Sequence, residues 1–399
     1  MQSDDFTGYA LHFPYPCDSI SCCVMPNIQR KTVKKVISVV MVLCAAGGGV
    51  LSLFPYCAYK ITSAPMVIDN GSDYAVVFAT NDNGTGFIEY EFNGKSIIKY
   101  DESAGRLKTD SRIHTINVPK EQLNSGSYRV GSKRVIADLS YGSRLGKEVY
   151  SDYYKFSVPA GDNQSYLTVS DWHIRLEKAY AACENAGDYN GVILLGDPAA
   201  GLMSEEDIVT NIVEFGGTLS KGIMPVIYVR GNHETRGAYA SKLVDYLGME
   251  GFHFDTSYGP YEFIVLDSGE DKEDSHPEYG GLDNYNEYRK DMINWLSQKK
   301  AAEDKKTFVL VHSNDVCIEE DLSKKAYENF NRLGVIQLLS GHLHTVDFFE
   351  KDGINVYVDG GIIDGKEFVA NKLTLNADNY KIEGWNQNGE KVFDTTILY

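Results

Sequence analysis

Ser170-Asp171-Trp172-His173 follows directly on the apolar run Tyr166-Leu167-Thr168-Val169. A short apolar run that stops in a carboxylate and an imidazole reads as a buried strand carrying metal-ligand residues at its tip. Four further segments share this grammar: Leu194-Leu195-Gly196-Asp197, Val229-Arg230-Gly231-Asn232-His233-Glu234, Val309-Leu310-Val311-His312 and Leu339-Ser340-Gly341-His342-Leu343-His344. Strand ends along one edge of a sheet are where α/β proteins place their sites.

If the five tips converge, Asp171, His173, Asp197, Asn232, His312, His342 and His344 offer carboxylate oxygen, amide oxygen and imidazole nitrogen. Mixed nitrogen and oxygen donors without thiolate suit Mn, Fe or Zn and disfavour Ca and Mg. Seven donors are too many for one ion with an open position. They fit two divalent ions that share a carboxylate, and such pairs, ~3.5–4 Å apart, clamp both attacking and leaving oxygens of a phosphoryl transfer. The pairs Asp171-x-His173 and His342-x-His344 place two donors on one side of an extended segment. A single histidine is more often structural, and His12, His114 and His253 are read that way. Five of nine histidines at the ends of expected strands form a pattern of another kind.

Composition narrows the function. The 399 residues carry a formal net charge of -18, which argues against a long nucleic acid as partner, since that needs clustered Lys and Arg. A phosphate-handling site on this surface must supply its own positive charge, and bound metal would do so. Five of the seven cysteines lie within the first 57 residues, with no disulfide or zinc-finger spacing.

Along the chain, residues 1–35 read as a disordered, basic N-terminal segment, and Met25 is an alternative start. Arg30, Lys31, Lys34 and Lys35 precede an uncharged run, 36–54. Its 19 residues approach the ~20 of a spanning helix. Flanking cations keep that end cytoplasmic and export the remainder. The expectation is an extracytoplasmic protein, held by a retained transmembrane anchor or released after signal cleavage. Residues 62–160 show short alternating runs, among them Tyr74 to Thr80 and Phe87 to Phe92, with Asn83-Gly84 and Asn93-Gly94 as turns. This predicts a small antiparallel β-sandwich. From 161 to 399 strands alternate with helices, predicting an α/β domain. Helices are expected after Ser204, over Glu287 to Ala302 and over Glu319 to Leu333, before closing antiparallel strands. The acidic loop from Asp267 to Asp283 is read as solvated, with none of its residues placed in the site.

The five blocks together, Asp171-Trp172-His173, Gly196-Asp197, Gly231-Asn232-His233-Glu234, His312 and Gly341-His342-Leu343-His344, strongly resemble the calcineurin-like metallophosphoesterase superfamily. The resemblance covers about 165–360 and implies two stacked β-sheets flanked by helices, the four-layer fold of that group. It implies Asp171, His173, Asp197 and His344 around one ion, and Asp197 (bridging), Asn232, His312 and His342 around the other. It further implies His233 as a non-ligand that stabilises the transition state or protonates the leaving oxygen, with Glu234 orienting its ring. The preceding β-rich stretch is similar to the fibronectin type III-like module of purple acid phosphatases. The Tyr ligand of that group is absent, since Ala200 stands at its position. The expected reaction is in-line attack on a small phosphoester by a metal-bridging hydroxide, with Arg236 as a candidate phosphate contact. Two alternatives stand beside it: a non-catalytic metal-binding scaffold of the same fold, and a nucleotidase or nuclease. Oligomeric state is not legible.

Overall fold

The computed structural model describes residues 58–124 and 126–399. The expectations for 1–35 and 36–54 lie outside the described residues. Among the described residues no helix is long and apolar enough to cross a membrane. Tyr59–Tyr399 forms one compact unit.

The chain enters through β1 (Met66–Asp69) and β2 (Asp73–Phe92), continues through β3 (Lys95–Tyr100), β4 (Ser111–Pro119), β5 (Ser127–Leu139) and β6 (Gly142–Tyr150), and then builds the catalytic half. The two strands expected around Asn83-Gly84 are one strand of 20 residues. Gly84 is needed there for proximity, since a Cβ would stand 1.9 Å from the Tyr59 hydroxyl and 2.8 Å from Ser132 Oγ. Asn93-Gly94 does turn, with φ of 52° and 70°. Around its middle β2 changes partners. Residues 73–79 pair with β4 and, on the other side, β1, whereas 84–92 pair with β5 and β3.

An antiparallel layer with its own core therefore precedes the catalytic strands, but it is not a separable body. Val67, Val76 and Phe78 face that core together with Ile88, Ile116 and Tyr128. Their neighbours Met66, Ile68, Ala75 and Val77 face the catalytic core. Alternation that is apolar on both sides makes β1 and early β2 interior strands.

The catalytic half supplies β7 (Gln164–Val169), β8 (Gly191–Leu194) and β9 (Pro225–Tyr228), which run parallel to one another, and β1 adds parallel to β9. A second sheet holds β10 (Phe254–Tyr258), β11 (Tyr261–Val265), β12 (Lys306–Leu310), β13 (Val335–Ser340), β14 (Val346–Lys351) and β15 (Ile354–Asp359), in the order β10-β11-β12-β13-β15-β14. β16 (Glu367–Leu375), β17 (Asn379–Asn386) and β18 (Lys391–Leu398) return antiparallel to the first sheet beside β7.

The sheets stack through Leu167, Val169, Phe263, Val265, Leu310 and Leu339. On the outside of the first sheet lie α1 (Leu176–Asn185) and a rod over 205–220. The rod opens with a capping box, in which Asp207 accepts from Ser204 N at 2.8 Å. The second sheet is covered by α2 (Tyr285–Gln298) and α3 (Glu320–Leu333), whose Met292, Leu296, Ala326 and Phe330 pack on Val309, Leu338 and Val356. The result is the four-layer α/β sandwich. Its parallel strands all end toward one edge.

Candidate metal centre

At that edge β7 delivers Asp171 and His173, β8 Asp197, β9 Asn232 and His233, β12 His312, and β13 His342 and His344. Asp171, His173, Asp197, His342 and His344 have φ between 36° and 71°, the left-handed region that non-glycine residues seldom occupy. Such backbone is kept only where its surroundings over-determine it. Here Asp171 N donates to Gly196 O (2.9 Å), His173 N to Asp197 O (3.2 Å) and His342 N to Asp171 Oδ2 (2.9 Å). Trp172 pins the first loop from behind. It is fully buried, stacks on Phe215 at 4.7 Å and donates to Asn211 O.

The side chains converge. His344 Nε2 is 3.3 Å from Asp171 Oδ1 and 3.2 Å from His173 Nε2. His312 Nε2 is 3.2 Å from Asp197 Oδ2 and 4.0 Å from Asp171 Oδ1. His173 Nε2 and His233 Nε2 approach Asp197 Oδ2 at 3.8 and 3.7 Å. Asn232 Oδ1 is 3.2 Å from His342 Nδ1. Donor atoms of Asp171, His173 and His344 lie within 4.8 Å of one another, as do those of Asp197, His312 and His342, and of His173, Asp197 and His233. All seven expected donors reach one spot.

Elementary electrostatics says what is missing there. Asp171 Oδ1 and His312 Nε2 are buried without a hydrogen-bond partner, an arrangement costly unless a ligand completes it. Burial opposes the charged form of both Asp197 and His312. Even so, Asp197 with Asp171 drives His312 up to about 10, and His312 with His233 holds Asp197 well below the usual carboxylate range. Carboxylates beside His312 thus demand positive charge at this spot. Divalent cations fit this donor set.

A titration prediction follows. His312 must lose its proton to donate to a metal, so apparent Mn affinity should rise about tenfold per pH unit through pH 7–9 and flatten above about 10. Calorimetry in buffers of different ionisation heat should detect about one proton released per chain at pH 8. For stability without metal the sign is opposite. The raised His312 contributes fully below its ordinary value of 6.5, and that contribution is lost as pH rises through about 10.

One role differs from expectation. The Glu234 carboxylate does not touch the His233 ring; it accepts from Gly231 N (3.0 Å), Asp197 N (3.1 Å) and Tyr228 OH (2.8 Å). His233 Nδ1 is buried without a partner. Glu234 is therefore the buckle between two ligand loops, and burial next to Asp197 pushes it up to about 7. Arg236 is held by Glu270 (2.8 and 2.5 Å) and Asp271 (3.1 Å), with Nη1 left 3.4 Å from His233 Nε2.

Sequence reasoning missed the acidic loop's part in this. Asp267 and Glu270 are buried, not solvated. Asp267 pairs with Arg230 at 2.6 Å, and Arg289 donates to the carbonyls of Ser268 and Glu270. The loop walls a cavity of about 90 Å³ that also touches Asn232 and His342. Asp359, beneath Ser170 and Thr168, was missed too; burial raises it to about 7. Both Asp267 and Asp359 sit at carboxyl ends of second-sheet strands, the one signal that would have found them.

Ligand loops of this chemistry at one edge of stacked sheets define a candidate metal centre in an α/β fold. Residues 165–346 match the family model of the calcineurin-like phosphoesterases. The chain carries a domain of this metallophosphoesterase superfamily and is by class a phosphoric ester hydrolase, whose fold implies bound divalent metal. No curated protein sequence matches it. Its fold is similar to a purple acid phosphatase from yellow lupin (Lupinus luteus) seeds, at 14% identity over 84% of this chain and 74% of that one, with a TM-score of 0.57. It is also similar to PhoD, at 10% identity over 86% of this chain and 94% of that one, with a TM-score of 0.53.

Proposed function

We propose that this chain hydrolyses small phosphomonoesters or phosphodiesters at a dinuclear centre. Asp171, His173, Asp197 and His344 would hold one ion, and Asp197, Asn232, His312 and His342 the other. The observation that carries this reading is the place of Asp197. Its Oδ2 stands 3.2 Å from His312 and 3.8 Å from His173, one residue of each proposed donor set, which supports its sharing between the two ions. Once bound, divalent ions supply Lewis acidity toward phosphoryl oxygens and lower the pKa of a bound water towards ~7.

The chain's own residues do the rest. His233 Nε2 faces Arg236 Nη1 as well as Asp197, which sets it apart from nitrogens that face the ligand cluster alone. In this reading His233 is the proton donor to the leaving oxygen rather than a ligand. Glu270 clamps Arg236 so that Nη1 remains for a phosphoryl oxygen. The buried loops exclude bulk water from one side.

Four cations before the apolar run 36–54 support a site outside the cytoplasm, reached by an anchored or exported chain. The test is a panel of p-nitrophenyl phosphate, its bis-ester and nucleoside monophosphates, run with Mn, Fe(II) or Zn on residues 59–399. Turnover that tracks metal content at two ions per chain is expected. Metal binding without turnover on any ester would favour the scaffold reading, and turnover restricted to the nucleotides would favour a nucleotidase.

A further inference from the structure

Five of the sixteen exposed large apolar side chains among the described residues lie on loops at the metal centre's edge: Ile174, Met203, Leu282, Ile318 and Leu343, between 37 and 90% exposed. Each is tied to the site by its neighbours. Ile174 follows His173, and Leu343 stands between His342 and His344. Ile318 lines the cavity that touches Asn232 and His342. Leu282 lines the cleft that holds Arg236 and Glu270. Met203 Sδ lies 2.9 Å from where a Cβ on Gly237 would stand, beside Arg236.

Single exposed apolar residues are ordinary, but several around one functional opening mark a binding surface. The cavity continues the pattern inward, since Val316, Cys317 and Ile318 form part of its wall. The same cavity is lined by Glu270 and Asp271, which pair with Arg236 and, among the described residues, leave no free cation there for an anionic leaving group. An ester with its phosphoryl group at the metal ligands must lay its alcohol across this rim.

Building on the phosphoesterase reading, we propose that the alcohol half of the substrate is uncharged and apolar, an alkyl or lipid-like group taken up as a single molecule from water. The ester bond that breaks releases that alcohol with the proton from His233, and water supplies the oxygen left on phosphorus.

The test uses non-hydrolysable ligands, so it does not depend on turnover. Metal-loaded protein is titrated calorimetrically with ethyl, butyl, hexyl and octyl phosphonate below their micellar concentrations. Burying each CH₂ is worth at most about fourfold, so partial cover predicts on the order of 10- to 100-fold tighter binding from ethyl to octyl. Ile174→Ser with Leu343→Ser should flatten that slope, and Leu282→Ser alone should reduce it. Equal affinity along the series, or no binding at any length, overturns the proposal. So does co-sedimentation of residues 59–399, without the apolar run 36–54, with phosphatidylcholine vesicles free of phosphonate, because the rim would then contact a bilayer. A chain-length slope in a protein inactive on every ester would keep this inference and sink the hydrolase reading; turnover without a slope would do the reverse.

Discussion

Replacing His233 with alanine should lower kcat by about 10²–10⁴-fold, the usual contribution of a positioned acid or base, while metal content stays at its wild-type value. The expectation rests on geometry. His233 Nε2 is 3.7 Å from Asp197 Oδ2 but also 3.4 Å from Arg236 Nη1. The backbone N–H of His233, which donates to Asp197 Oδ1 at 3.0 Å, survives the substitution. Kinetics paired with metal analysis of the purified variant checks this. Loss of one ion together with activity would make His233 a ligand and redraw the centre.

Glu234→Ala should do something different: destabilise the fold and empty the site. Its carboxylate is fully buried and accepts from two backbone amides and the Tyr228 hydroxyl. Removing it leaves three buried donors unsatisfied, at about 1–3 kcal/mol each. The two loops it joins carry Asp197 and Asn232, so metal affinity should fall with stability. Thermal unfolding should shift down by about 4–12 °C, since about 1 kcal/mol moves a compact unit as large as Tyr59–Tyr399 by ~1.4 °C. An unchanged midpoint with kcat alone reduced would restore Glu234 to the role of His233's orienter.

That contrast shows what the chain discloses by itself. The donors were legible because each lies within a few residues of a short apolar strand, so a local pattern carries the chemistry. Glu234 was visible in the same block, yet its partners are set by where Asp197 and Tyr228 fall after folding. Asp359 meets Thr168 across 191 positions, and no local pattern announces such a pair. The acidic loop misled for a related reason. Six acidic residues and His276 over 267–278 look solvated until Arg230, Arg236 and Arg289, all distant in sequence or on other elements, turn inward to meet Asp267, Glu270 and the Ser268 carbonyl. In β2, Asn83-Gly84 has turn chemistry, but the glycine answers to crowding by Tyr59 and Ser132.

The strand that switches partners has a bearing on how this protein can be handled or rebuilt. Because β2 belongs to two cores at once, the N-terminal layer cannot be trimmed away like a fusion tag. A version starting near residue 161 would bare the β9 edge and strip one apolar side of the first sheet, inviting the strand-to-strand association between molecules that an open edge promotes. Any engineered or natural rearrangement that keeps the hydrolase must therefore carry the front layer with it.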